Sequence, residues 1–217
     1  TAAVVTVATS GDAPTLFAIT GGNSDGIFAI SNSGAITVSD NTNLDYDTTP
    51  SYTLRVVASD ATSADSQDVV ITIVDVNDQT PTYTAGDTTP SVAEGSTAVD
   101  TAVAITDTDT GDANVCTLAG NDAALFTCTL TGQTAYSLAF TNAPDFETDA
   151  STDGDGDYDV TVTINDGAQD GATITYVVTV TDTNDESPVF TSSDTINVAE
   201  GATAVVTLTS TDGDAAD

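Results

Sequence analysis

The sequence predicts an all-β protein built from repeated β-sandwich units, and three observations indicate this fold class. Short runs in which apolar residues alternate with threonine recur along the chain, separated by clusters of Gly, Asn, Asp and Ser, which is the pattern of strands and turns. No segment has a helical periodicity of useful length. The acidic segment DVNDQTP at residues 75–81 recurs as DTNDESP at 182–188, 107 residues later, and such self-similarity indicates a repeat.

The predicted strands give each repeat the same order. In the first unit they lie at residues 4–8, 16–20, 27–31, 35–39, 52–58 and 68–74. In the second they lie at 91–93, 102–106, around Cys116 and Cys128, at 136–140, at 159–164 and up to 180. Short, evenly spaced strands in units of about 100 residues predict immunoglobulin-like β-sandwiches. We therefore expect repeats at 1–78, 79–185 and 186–217, with third-unit strands at 189–190 and 204–209.

The two ends of the chain resemble each other. Residues 1–7 match residues 203–208, so the first repeat lacks its first strand and the third stops early. This pattern predicts either a piece of a longer array or a subunit whose last residues complete a neighbouring copy. The second hypothesis places residues 189–200 as a strand on the first unit of another chain.

The charge of the chain excludes several classes of partner. Thirty-four acidic residues face one base, Arg55, and the net charge is −33. Nucleic acid and anionic membrane both require positive charge, and no apolar run is long enough for a membrane span. Mutual repulsion of so many carboxylates needs salt or bound cations to offset it. A halophile-like solvated surface and bound divalent metal both explain the composition, and the recurrence of the acids at fixed positions favours metal.

The only two cysteines, Cys116 and Cys128, lie in neighbouring predicted strands. The chain has no His, so a zinc site is poorly supplied. A cross-strand disulfide formed in an oxidising compartment is the favoured interpretation, with two buried free thiols as the alternative. The aromatic residues of the strands are expected in the core. These are Phe17, Phe28, Tyr52, Phe126 and Tyr136.

Acidic residues recur at equivalent positions, each motif being found in two of the units. A Glu precedes the second strand, an Asp-Xaa-Asp follows it, an acidic triplet lies in the middle, an Asp precedes the last strand, and an Asp-Xaa-Asn-Asp segment closes the unit. Calcium takes six to eight oxygen ligands from several loops, and these positions supply them. Together the motifs resemble the cadherin repeat over essentially the whole chain, and in detail the bacterial cadherin-like tandem repeats.

The resemblance implies Greek-key β-sandwiches in a linear array with calcium ions at each junction between repeats. Its ligand positions transfer to this sequence residue by residue. The first junction would use Asp45, Asp47, Asp75, Asn77, Asp78, Asp107, Asp109 and Asp166. The second would use Glu94, Asp145, Glu147, Asp182, Asn184, Asp185, Asp212 and Asp214.

The sequence departs from the family pattern in several places. Asp47 stands where the family has the longer Glu, and residues 10–12 (Ser-Gly-Asp) replace an Asp-Xaa-Asp in the first unit. The Glu of the first unit lies outside the chain, and the second junction lacks the late Asp of the third unit, so neither junction is expected to be fully occupied. The insert at residues 153–159 alternates Asp with Gly like the start of an EF-hand loop, but it lacks the Glu at the twelfth position. A solvated acidic hairpin is favoured there over an extra calcium site.

These features predict a secreted, extracellular or cell-surface protein that binds calcium and works as a stalk, adhesin or filament. The expected partners are calcium, other copies or neighbouring repeats, and a cell-surface or carbohydrate ligand. One alternative is a filament subunit joined by strand exchange; another is a spacer that presents a carbohydrate- or ice-binding domain. An enzyme is disfavoured because the acids recur per repeat and no His or Lys is present to act as a base.

Overall fold

The computed structural model describes residues 4–9, 16–109, 111 and 113–214. The chain divides into two compact units, one formed by Thr1–Asp78 with Thr108–Thr110 and the other by Gln79–Asp107 with Gly111–Asp217. The all-β prediction is confirmed, and the one helical segment in the described residues is a single 3-10 turn at Ala123–Leu125. The predicted motif at residues 10–12 lies outside the described residues.

The first unit is a sandwich of two three-stranded sheets. Its strands are β1 (Val5–Thr6), β2 (Leu16–Gly21), β3 (Phe28–Ile30), β4 (Ala35–Val38), β5 (Ser51–Ser59) and β6 (Ala64–Thr72). One sheet has the order β2-β5-β6 and the other β1-β4-β3. Along β5, Tyr52, Leu54 and Val56 are buried while the residues between them are exposed, which is the two-residue period of a strand with one wet face.

The β5–β6 hairpin extends beyond its apolar pattern. Strand β6 begins at Ala64 rather than at the predicted residue 68. Residues 64–68, most of them polar, pair with residues 55–59 of β5 and extend the strand. Asp60 fixes the turn, since its Oδ1 accepts the N–H groups of Thr62 and Ser63, both at 2.7 Å, as turn-forming Asp side chains do. Arg55 of β5 pairs with Asp68 opposite it at 2.9 Å.

The second unit contains a sandwich of two four-stranded sheets. Its strands are β7 (Thr82–Tyr83), β8 (Ser91–Ala93), β9 (Ala98–Thr106), β10 (Val115–Ala119), β11 (Phe126–Thr131), β12 (Ala135–Phe140), β13 (Asp157–Asn165) and β14 (Ile174–Thr181). The sheet orders are β10-β13-β14-β8 and β11-β12-β9-β7. All neighbours are antiparallel except β8, which runs parallel to β14. The five aromatic side chains predicted to lie in the core are buried in the two units, as expected.

A polar network crosses the core of the second unit. The Tyr136 and Tyr176 hydroxyls lie 3.0 Å apart, and the Tyr176 hydroxyl donates to Asp100 Oδ2 at 2.9 Å. Asp100 lies where the register between β9 and β12 shifts. Within this irregularity Ala102 has a φ of 58°, a left-handed conformation that costs an L-residue energy. The bulge therefore lets an acid of β9 accept a hydrogen bond from the opposite sheet.

Replacing Ala102 with Gly is expected to stabilise the second unit. Glycine adopts a positive φ without the clash of a Cβ atom, so we expect the free energy of unfolding to rise by about 0.5–1 kcal/mol. Ala104, on the same strand and also exposed, is the matched control. Ala104→Gly is expected to lower the free energy of unfolding. Urea denaturation measures both. Equal destabilisation by the two changes would show that residue 102 is not strained.

A disulfide joins the two sheets of the second unit. Cys116 of β10 and Cys128 of β11 are bonded, with a Cα–Cα distance of 6.2 Å. Both strands are sheet edges, and they belong to opposite sheets. The predicted disulfide is thus confirmed, although it connects two sheets rather than hydrogen-bonded neighbours.

Two local predictions are wrong. Residues 204–209 are not a strand; β15 (Val189–Phe190) pairs instead with β16 (Ser210–Thr211), because a strand persists only where another offers it hydrogen bonds. Residues 153–159 are not a hairpin, since they end the loop that follows β12 and enter β13 at Asp157. Whether 153–159 takes an extra cation stays a hypothesis.

Candidate metal centres

The first unit brings three carboxylates together. Asp47 follows Leu44 in the loop before β5, Asp75 follows β6, and Asp109 belongs to the short segment that groups with this unit. One carboxylate oxygen from each lies within 4.8 Å of the others. Asp45 supports the loop, because its Oδ1 accepts the N–H of Asp47 at 2.9 Å. We call Asp47, Asp75 and Asp109 the first acidic group.

The second unit contains two overlapping sets of the same kind. Glu94, Asp145 and Glu147 form one, and Glu147, Asp182 and Asp214 form the other, again with carboxylate oxygens within 4.8 Å of one another. Glu147 is shared, so the five side chains form one continuous patch. We call these five residues the second acidic group.

Glu94 connects the segments of the second acidic group. It is buried, its Oε1 accepts the N–H of Thr183 at 2.6 Å, and its Oε2 accepts the N–H of Phe146 at 2.8 Å. One carboxylate therefore fixes both the loop after β12 and the segment after β14. Asp214 acts similarly on the closing segment, because its Oδ1 accepts the N–H groups of Asp185 and Glu186 at 3.4 and 3.3 Å.

Carboxylates this close perturb one another's protonation. Burial and the charges of Asp109, Asp45, Asp75 and Asp78 raise the pKa of Asp47. Burial raises the pKa of Asp185, with the charges of Glu94, Asp214, Asp145 and Asp182 adding to it. A backbone hydrogen bond lowers the pKa of Glu147, but burial and the charges of Glu94 and Asp182 outweigh it and the net direction is upward. Both groups are thus sites of concentrated negative charge.

The remaining predicted ligands have varied surroundings. Asp166 is buried, and its Oδ1 accepts the N–H groups of Ala168 and Gln169, so it caps a turn. Asp212 Oδ1 accepts the N–H of Asp214 at 3.4 Å. The metal-ligand roles of all the predicted residues, including Asn77, Asp78, Asp107 and Asn184, stay predictions.

Some buried polar residues escaped the sequence analysis, among them Asp122 and Asn114. Asp122 is 1% exposed, and its carboxylate accepts the N–H groups of Thr152 and Asp159. Asn114 is also buried, and its N–H and side-chain amide bind Gln133. Neither recurs in the other repeat, and recurrence was the pattern that identified the other acids.

The fold has clear relatives among solved structures, although no family model and no curated protein matches the sequence. The chain is similar to the protocadherin gammaB7 EC3-6 cis-dimer structure, with 24% identity and a TM-score of 0.63 over 94% of this chain and 49% of that one. It is similar to protocadherin gamma B2 extracellular cadherin domains 3-6, with 25% identity and a TM-score of 0.60 over 98% and 51%. Mouse protocadherin-24 EC1-3 matches at 18% identity and 0.59 over 98% and 70%.

The chain has a cadherin-like fold. It spans about half the length of the first two chains it matches. Within the described ranges, no helix has the length and apolar character to cross a membrane.

The donor atoms of this cadherin-like chain fit a calcium ion. All the ligand atoms in both acidic groups are carboxylate oxygens, the donor type that calcium prefers. Asp47 Oδ1 and Asp214 Oδ2 are buried and accept no hydrogen bond within the described part of the chain. Burying a carboxylate oxygen without a partner is costly, and a bound cation would remove this cost.

The raised pKa values predict an unusual response to pH. Without calcium, folding raises the pKa of Asp47 and Asp185 above their ordinary 3.8 and that of Glu147 above 4.5. A carboxyl with a raised pKa binds protons more tightly when folded, so its contribution to stability grows as pH falls through the raised pKa. We therefore expect the calcium-free protein to become more stable as pH falls from neutral toward the ordinary carboxyl pKa values.

Other carboxyl groups oppose this trend only in stronger acid. Hydrogen bonds from Thr42 lower the pKa of Asp40, and those from Thr62 and Ser63 lower that of Asp60. These two carboxyl groups stabilise the folded protein above pH 3.8, and this stabilisation is lost as the pH falls below 3.8. Urea midpoints measured at several pH values in dialysed, calcium-free protein test the prediction. A midpoint that falls steadily from pH 7 downward would contradict it.

Proposed function

We propose that this chain is a calcium-binding part of an extracellular adhesion or stalk array, in which bound calcium stiffens the junctions between cadherin-like repeats at 1–78, 79–185 and 186–217. The main support is the pair of acidic groups, each with a buried carboxylate oxygen that accepts no hydrogen bond in the described part of the chain. The matched protocadherin gamma B2 structure consists of extracellular cadherin domains by its own description, which supports an extracellular location and an adhesive role.

The acidic residues would restrict the chain because of where they lie in it. Asp75–Asp78 and Asp182–Asp185 stand where one predicted repeat passes into the next, so cross-linking them to loop carboxylates restricts the chain at these points. A calcium ion would supply the positive charge that offsets the repulsion among the ligands. Glu94 and Asp214 hold the segments that contribute the other ligands through backbone hydrogen bonds.

Calcium titration tests the proposal directly. Dialysed protein is titrated with CaCl2 in a calorimeter, with MgCl2 as a comparison. We expect at least two binding events with Kd values of about 10⁻⁴–10⁻³ M, the range of extracellular calcium modules. Asp47→Asn combined with Asp109→Asn should remove the first event, and Glu147→Gln should weaken the second. Heat no different from that of buffer alone would refute the proposal.

Self-association is a second candidate activity. The protocadherin gammaB7 chains in the matched structure form a cis-dimer by its own description. We propose contacts between copies as the adhesive interaction, with the filament and ligand-presenting alternatives as rival hypotheses. Sedimentation velocity with and without calcium tests this, and a monomer under both conditions at high concentration would argue against it.

A further inference from the structure

The disulfide of the second unit closes a segment that includes a buried acid. Between Cys116 and Cys128 the chain turns through Asp122 and the 3-10 helix Ala123–Leu125. Both Oδ atoms of Asp122 are used, because Oδ1 accepts the N–H of Thr152 at 2.7 Å and Oδ2 that of Asp159 at 2.8 Å. The bridge thus restricts a segment that binds other parts of the unit.

The bridged segment holds both ends of the loop that contains Asp145 and Glu147. At one end the Thr141 N–H donates to Leu125 O at 2.7 Å. At the other end Thr152 donates its N–H to Asp122 and its hydroxyl to Asn121 O, the second at 3.0 Å. Both ends of the loop at residues 141–152 are therefore hydrogen-bonded to the segment that the disulfide closes.

Packing of the same loop against the core is incomplete. A surface cavity of about 250 Å³ lies between the bridged segment and the loop, with Leu125 on one side and Pro144 and Asp145 on the other. Inside the loop, Phe146 N–H donates to Glu94, which is itself one of the proposed ligands. Because the cavity leaves a gap between the loop and the core, the position of the loop depends on its hydrogen bonds. These are the bonds at its two ends, the bonds to Glu94 and Gly95 in its middle, and the bond from the Ala150 N–H to the Tyr158 hydroxyl.

We propose that the Cys116–Cys128 disulfide is a redox-sensitive control of the second acidic group. With the bridge closed, Asp122 and Leu125 hold residues 141–152 so that Asp145 and Glu147 lie beside Glu94. A dithiol reductant transfers two electrons and two protons to the bridge, leaves two cysteine thiols and is itself oxidised to a disulfide. The opened segment then holds the loop less firmly, and calcium binding there weakens. This inference rests on the calcium-binding function proposed above.

The test compares calcium binding by the oxidised and reduced forms of one protein. The full chain with Asp47→Asn and Asp109→Asn reports the second acidic group, and it is titrated with CaCl2 before and after treatment with dithiothreitol. We expect the Kd to rise about 5-fold or more on reduction, the lower range of coupling between sites. The first group, measured in the full chain with Asp145→Asn and Glu147→Gln, should keep its affinity when the bridge is reduced.

Further variants separate this effect from others. Cys116→Ser with Cys128→Ser should match the reduced protein and show no further change with dithiothreitol, which excludes an effect of the reagent on calcium. Asp122→Asn keeps the bridge but weakens the anchor, and we expect a similar rise in Kd. Asp87→Asn is its matched control, because Asp87 is an exposed acid of the same unit that accepts the Thr89 N–H and should leave the Kd unchanged.

The outcomes distinguish the two proposals. Absence of calcium binding by the oxidised protein would refute the calcium function itself. Equal Kd values for folded oxidised and reduced protein would overturn only the control by the disulfide. If circular dichroism shows that reduction unfolds the second unit, Asp122→Asn decides, and an unchanged Kd in that folded variant overturns the inference.

Discussion

Chelation of calcium is expected to lower the thermal stability of both units substantially. A ligand that binds only the folded state at about 100 times its Kd adds about 2.7 kcal/mol to the free energy of unfolding. For a domain of about 100 residues this corresponds to a rise in melting temperature of about 10 °C or more. Removal of calcium also restores the repulsion among the carboxylates of each acidic group. Calorimetric scans in 10 mM CaCl2 and in EDTA measure the effect. Sites that bind calcium roughly tenfold more weakly are expected to give a smaller rise in melting temperature.

Variants distinguish specific binding from general charge screening. Asp47→Asn with Asp109→Asn should abolish the calcium response of the first unit and leave that of the second. Asp25→Asn with Asp65→Asn removes the same charge from exposed positions of the first unit, so it should preserve the response. If 0.3 M NaCl stabilised the EDTA-treated protein as much as calcium does, the acids would be a solvated surface and the metal sites would be refuted.

Leu54→Ala and Leu138→Ala are expected to destabilise one unit each. Both side chains are fully buried, Leu54 in the core of the first unit and Leu138 in that of the second. Removing a buried leucine side chain costs about 2–5 kcal/mol through lost burial and the cavity left behind. We expect a separate unfolding transition for each unit, with only the transition of the altered unit moving. Chemical denaturation in calcium-free buffer resolves the two.

Exposed apolar residues supply the controls for these core changes. Val70 and Val115 are each more than half exposed, Val70 in the first unit and Val115 in the second. Their replacement by Ala should change the free energy of unfolding by less than about 0.5 kcal/mol. If Leu54→Ala lowered the midpoints of both transitions equally, the two units would unfold as one cooperative body. The two structural units would then not be separate units of unfolding.

The sequence predicted most of the fold because sandwich strands have a local pattern. Strand β13, with alternating buried and half-buried residues from Asp157 to Asn165, follows from its sequence alone. The hairpin residues 64–68 did not, since their pairing depends on the turn at Asp60 rather than on apolar alternation. Residues 204–209 failed for the opposite reason, because a strand pattern without a partner strand forms no ladder.

The acidic groups were predictable only where residues recur. The repeated motifs led to Asp47, Asp109, Glu147 and Asp214, and the structure brings their carboxylates into the groups described. Recurrence could not show that Glu147 belongs to two overlapping sets or that Glu94 binds two backbone N–H groups. It also missed Asp122, whose role depends on contacts 30 and 37 residues away.

The parallel pairing of β8 with β14 has a mechanical consequence. Strand β8 is the second strand of the eight-stranded sandwich and β14 is its last, so tension on the flanking chain pulls the two strands in opposite directions along their shared axis. The bonds from Val177 to Thr88, from Thr179 to Pro90 and from Glu94 to Thr181 then bear the load together in shear. They must rupture nearly simultaneously rather than unzip one after another, which makes this short pairing the element that resists extension.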